Sequence, residues 1–181
     1  MYQKKALVRV RVLSQNTMTV LSLLFFLCIF APCPSFANQT RDTEVLYFCI
    51  VNQEDVVVYT KELPKNAMFG IRFIHSVAKS PVEEWFSIQQ DGLVLQKTVY
   101  NDFGAGLPYQ PEAGQTMEFT SGHITISGYN RKFQKFDVRV GRIAEHTLLL
   151  PKENTTYEEL PLAKLSPAGS ALTFTVRKSH P

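Results

Sequence analysis

The feature that most restricts this chain is a period of two. From residue 45 onward, apolar and polar side chains alternate in short runs rich in Val, Ile, Phe, Thr and Tyr. That is the pattern of half-buried strands, not of helices. Such runs fall near 45–51, 55–61, 68–76, 83–90, 92–100, 116–120, 123–128, 134–140, 146–150 and 170–177. Asp91-Gly92 between two alternating runs predicts a tight hairpin, and Asn52-Gln53-Glu54-Asp55 another turn. Only Tyr157 to Leu165 leaves room for a short helix, and Pro161 interrupts it. Many short strands with turns between them predict an all-β fold, an antiparallel β-sandwich or a partly open barrel of about ten strands.

The residues ahead of this pattern read as an export signal. Lys4, Lys5, Arg9 and Arg11 precede the apolar run Met18–Phe30, which is shorter than the about 20 residues of a membrane span and fits the core of a secretory signal. Pro32 and Pro34 follow, and Ser35-Phe36-Ala37 supplies small residues for a peptidase. The expectation is cleavage after Ala37, giving a signal peptide over 1–37 and a single β domain over 38–181. The alternative is an uncleaved inner-membrane anchor with the domain facing the periplasm. Charge follows the same division. The chain carries 19 bases and 16 acids, a formal charge of +3, yet the first 37 residues hold four of the bases and no acid. Without them the domain is slightly acidic, which disfavours a nucleic-acid surface. A hydrophobic content of 45% excludes a disordered chain. Cys28 and Cys33 leave with the signal, so Cys49 has no intrachain partner and reads as a buried small apolar residue.

The most informative stretch is 68–90. On alternating faces, Phe69, Ile71, Phe73 and His75 share one side of the first strand, and Val82, Glu84, Phe86 and Ile88 one side of the second. Both sides are apolar except for His75 and Glu84. The short link Val77–Pro81 predicts a hairpin whose register brings His75 and Glu84 together as a hydrogen-bonded or ionic pair on the core side, each compensating the other's burial. Such a pair can fix the loop, contact a ligand, or serve as an acid–base couple aimed at Ser80, with Ser76 turned to the other face. The chain has no Gly-x-Ser-x-Gly nucleophile elbow, so no residue is assigned a catalytic role.

The second feature is Phe103-Gly104-Ala105-Gly106-Leu107-Pro108. Two glycines permit positive φ or close backbone approach, and such a turn can aim amide N–H groups at an anion. No Gly-Lys-Ser/Thr follows, so it is not a phosphate loop. No cofactor is implied. Metal binding is not signalled either: His75, His123, His146 and His180 show no i, i+4 pair and there is no Cys-x-x-Cys, although His75, His123, His146 and Glu84 could converge in space. Arg131-Lys132-Phe133-Gln134-Lys135-Phe136 interleaves bases and aromatics, a pattern that either stacks single strands or forms a solvated strand with an apolar inner face. The acidic domain favours the strand, with no nucleic-acid partner.

Taken together, His75-Ser76-Val77, Pro81-Val82-x-Glu84-x-Phe86 and Phe103-Gly104-Ala105-Gly106-Leu107-Pro108 resemble a family known as domain of unknown function 1850, small exported bacterial proteins. Glu145-His146-Thr147-Leu148 is a fainter echo, and Ser80 stands where Thr is usual in the family. The resemblance implies a periplasmic location and the company of a TAXI-type TRAP uptake system. It brings no catalytic mechanism. The expected function is an accessory or binding module whose partner is the TRAP permease or its TAXI-type solute-binding protein. Its surface would be built from His75, Ser76, Ser80, Pro81, Glu84 and the 103–108 turn. The alternative from another class is a periplasmic hydrolase using His75, Glu84 and Ser76 or Ser80. A weaker option is a small carboxylate ligand held by the 104–106 amides and Arg72.

Overall fold

A computed structural model describes residues 45–104, 106–152 and 156–178. The leader and its cleavage site lie outside the described residues. Among the described residues eleven strands form in chain order: β1 (Val45–Val51), β2 (Val57–Pro64), β3 (Met68–Ile74), β4 (Pro81–Gln89), β5 (Gly92–Tyr100), β6 (Thr116–Thr120), β7 (His123–Phe133), β8 (Lys135–Arg139), β9 (Thr147–Pro151), β10 (Tyr157–Pro161) and β11 (Ala171–Arg177). They make a four-stranded sheet, β2-β1-β11-β8, and a seven-stranded sheet, β10-β9-β3-β4-β5-β7-β6. Every pairing is antiparallel. The fold is an open sandwich, not a barrel.

The alternation expected from sequence sets the core. Phe48, Ile50 and Phe174 of the small sheet meet Phe69, Phe86, Ile88 and Leu93 of the large one, all buried. Aromatic rings carry the contact between layers: Phe48–Phe69 at 4.6 Å, Phe86–Phe136 at 4.7 Å and Phe69–Phe174 at 6.4 Å between centroids. Phe133 and Phe136 of the basic 131–136 segment are thus turned inward, packed against this core. The small sheet is narrower than the large one. The rest of the large sheet's inner face, with Val82, Tyr100, Ile124 and Ile126, forms a second apolar cluster covered in part by Leu107. Cys49 is buried, as expected.

The structure differs from the sequence expectation in three places. Tyr157–Pro161 is a strand paired with β9, not a helix; only one 3₁₀ turn, Leu162–Lys164, follows it. β10 is an edge strand, where proline is tolerated, and Tyr157 anchors it by packing 4.8 Å from the Trp85 ring. The Asp91-Gly92 hairpin exists, but the two-residue loop is Gln90-Asp91, because Gln89 pairs with Gly92. Gly92, at φ +136, is required by the neighbouring strand: a Cβ there would lie 2.1 Å from the Phe133 carbonyl oxygen. Finally, β7 runs on to Phe133 through a bulge at Gly128–Asn130, where its register with β5 shifts.

Register also fixes what gathers at each end. β3 finishes at Ile74 opposite Pro81, β5 finishes at Tyr100 opposite Val82 and Ile124, and β9 begins at Thr147 opposite Arg72. Segments 75–80, 101–104, 121–122 and 141–146 therefore emerge at one end of the large sheet.

Candidate functional site

His75 is the first residue beyond β3. Its backbone N–H donates to the Ser80 carbonyl (2.9 Å), and its own carbonyl accepts from the Lys79 N–H (2.9 Å), closing the 75–80 turn. The turn then folds over the imidazole. The amides of Val77 and Ala78 both donate to His75 Nδ1, at 3.3 and 3.1 Å. A ring nitrogen that accepts two N–H groups carries no proton, so the imidazole proton sits on Nε2, the nitrogen left for a partner. Gly104 closes on the same ring. A Cβ at that position would lie 3.2 Å from His75 Cε1 and 3.0 Å from Ala78 Cβ. The expected neighbourhood of hairpin end and glycine turn is thus present, and the first glycine is the one the ring requires.

The His75–Glu84 pair is not formed. Glu84 stands opposite Ile71 in β3 and Thr98 in β5. His75 lies four residues past Ile71, about 13 Å further along the strand. The expected register was wrong because the hairpin link is wider than assumed: β3 stops at Ile74 and the whole of 75–80 is turn. Glu84 does face the core side, between Val82 and Phe86. Among the described residues its carboxylate has no hydrogen bond or ion pair. Burial pushes its pKa up, opposed by the charge of Arg131.

Ser80 lies opposite His75 and is 9% exposed. Among the described residues its buried Oγ has no hydrogen-bond partner, unusual for a buried hydroxyl. Ser76 and Pro81 are exposed, and Ser76 belongs to the turn. In the second segment, Phe103 is exposed, and Gly106 takes φ +87 with open space beside it. The Leu107 N–H donates to the Gly104 carbonyl at 3.0 Å. Pro108 accepts a hydrogen bond from the buried Tyr100 hydroxyl, which ties the segment to β5. Ala105 lies outside the described residues.

Arg72 is not available to a carboxylate ligand at this end. On the outer face it pairs with Glu83 and Glu159, each at 2.9 Å, and the Trp85 indole N–H also donates to Glu83 at 3.0 Å. The histidines do not converge: His123 Nδ1 contacts the Asn101 side chain at 2.8 Å, and His146 sits in the 141–147 turn, its ring 5.6 Å from Phe73. Among the described residues, no group of three His, Cys, Asp or Glu side chains is placed to hold a metal.

Sequence reasoning missed the apolar rim. Val77, Phe103, Phe119 and Ile143 are each more than half exposed. All four lie on segments at this same end, and the Phe103 and Phe119 rings are 6.3 Å apart. An apolar residue at a loop tip, such as Val77 beside His75-Ser76, was the signal available.

Architecture and site together describe an antiparallel β-sandwich that carries polar groups and exposed apolar side chains on the loops at one end of its larger sheet. Residues 69–164 match the family described as Domain of unknown function (DUF1850), and the chain belongs to that family. The matched span runs from β3 to the 3₁₀ turn and contains every candidate residue named above. No curated protein and no solved structure matches the chain.

Proposed function

We propose that this protein is an exported, non-enzymatic binding module that works in the periplasm beside a TAXI-type TRAP uptake system, docking on the permease or on its solute-binding protein. The leader sequence and the company of the family support the location and the partner. The observation that carries the docking role is the loop end itself: exposed Val77, Phe103, Phe119 and Ile143 lie at the same end of the large sheet as His75 and the Ser80 hydroxyl. Contiguous exposed apolar groups rimming polar ones mark interaction surfaces. The hydrolase reading gains nothing from the geometry. A general base must accept the serine proton on a ring nitrogen while a carboxylate holds the other. In His75 the acceptor nitrogen is already filled by backbone amides, and Glu84 is out of reach.

The test is affinity capture of the tagged protein from membranes co-expressing the permease and the solute-binding protein. Phe103→Asp with Phe119→Asp should abolish capture while leaving the melting temperature unchanged. Capture that survives both changes, or uptake that is unaffected by deleting the protein, would overturn the proposal. Ester hydrolysis lost in His75→Ala would instead establish the enzymatic alternative.

A further inference from the structure

A cavity lies beside the site just described, at the 141–147 turn. It holds about 460 Å³ and is lined by Val140, Pro161, Ala163 and Ala168, together with Arg142, Glu145 and His146. We propose that this cavity binds a zwitterionic ligand of the α-amino acid type with an aliphatic side chain.

The lining sets the chemistry. Val140, Pro161, Ala163 and Ala168 form an aliphatic wall without an aromatic ring, suited to a branched or linear hydrocarbon and not to stacking. Arg142 and Glu145 stand in one turn, and among the described residues neither side chain has a hydrogen bond or ion pair, nor do they pair with each other. A simple anion would gain Arg142 and be repelled by Glu145, and a simple cation would meet the reverse. A ligand carrying both charges on one carbon satisfies both residues. His146 adds a third contact. The Gly141 N–H donates to His146 Nδ1 at 3.2 Å, so the ring proton is on Nε2. Burial lowers the pKa of the ring, which keeps it neutral. It can then donate to a ligand carboxylate without adding charge. The turn is built for this placement: Glu145 takes a left-handed φ of 48°, uncommon for a residue with a side chain, and the Gly141 backbone comes close to the His146 ring.

The experiment is titration calorimetry of the purified protein with L-leucine, leucinamide and isocaproate, which carry both charges, the ammonium alone and the carboxylate alone. Leucine should bind, and each of the other two should bind about tenfold or more weakly, the usual consequence of losing a charge-assisted hydrogen bond. Arg142→Ala should weaken leucine and strengthen leucinamide, and Glu145→Gln should weaken leucine and strengthen isocaproate, since each change removes the charge that repels the single-charge probe. Ala163→Trp, which fills the cavity from an exposed position, should remove all binding, and His75→Ala should leave it intact. Absence of leucine binding, or equal binding of the three probes, overturns the proposal. The cavity shares its turn with one rim residue, Ile143, which does not line it, and the partner test at Phe103 and Phe119 uses other segments, so failure here would not touch the partner proposal, nor the reverse.

Discussion

Glu84 offers the sharpest test of how this sandwich is built. Its carboxylate lies on the inner face of the large sheet, in a cross-strand row with Ile71 and Thr98 and between Val82 and Phe86 on its own strand. No hydrogen bond or ion pair compensates it among the described residues. Burying a polar group without a partner costs about 1–3 kcal/mol. Glu84→Gln removes the charge and keeps the shape, and should stabilise the protein by about 1 kcal/mol at neutral pH. Glu84→Leu also buries hydrocarbon and should add about 1 kcal/mol more, a rise of several degrees in Tm at roughly 3–5 °C per kcal/mol for a domain of this size. The sign with pH is fixed by linkage. Burial raises the folded pKa above the ordinary value of 4.5, so the folded state holds its proton to higher pH than the unfolded state. The contribution of Glu84 is therefore fully present below 4.5 and is lost as pH rises through the folded value. The gain from Glu84→Gln should appear at neutral pH and vanish below 4.5. Chemical denaturation at the two conditions decides it. A Gln variant less stable than the parent at neutral pH would refute the reasoning and show that Arg131, the one opposing charge, outweighs desolvation.

Other substitutions test the remaining parts. Gly92→Ala places a Cβ 2.1 Å from the Phe133 carbonyl oxygen at a φ that side chains rarely adopt; a loss of about 3 kcal/mol or more is expected in denaturant melts, whereas Gly106→Ala, also at positive φ but facing open space, should cost only about 1 kcal/mol. Ser80→Ala deletes an unpartnered buried hydroxyl and should leave Tm equal or slightly raised while weakening partner capture; a fall of several degrees would mean that the hydroxyl is structurally satisfied. Burial lowers the pKa of His146, so its ring should titrate below 6.5 by NMR, and its contribution to stability should be lost as pH falls through its folded value.

What the sequence revealed and what it hid divide along one line. Alternation exposed the strands because one face of each sheet is buried against the other, and a period of two is the direct imprint of that burial. It exposed His75 and Glu84 as inward polar residues for the same reason. It did not reveal their distance, since that depends on where β3 ends, and the end is decided by the Val77 and Ala78 amides turning back onto the His75 ring. β10 was hidden for a related reason. Tyr157–Pro161 holds a proline and two glutamates and lacks the β-branched residues of a typical strand, yet Trp85 on another strand gives Tyr157 a surface to pack on. Contacts of that range leave no local pattern.

The cost of Glu84 bears on function as well as stability. A half-buried carboxylate that no neighbour compensates is a residue that packing alone would replace with Leu or Thr, and departures from packing rules concentrate at functional positions. Ser80, the last residue of the turn that leads into β4, departs from the same rules four residues earlier. Both lie within the span matched by the family, and Val82, between them in the chain, belongs to the second apolar cluster. Glu84 on β4 and Ser80 in the turn before it are therefore two uncompensated polar groups on one stretch of chain, running from the core toward the loop end. If docking engages that end, the two should respond together. Ser80→Ala and Glu84→Gln should each weaken capture of the partner although neither lowers stability, and the double variant should lose no more than the weaker single one. Independent, additive losses would separate the two residues and leave Glu84 with only its effect on the core.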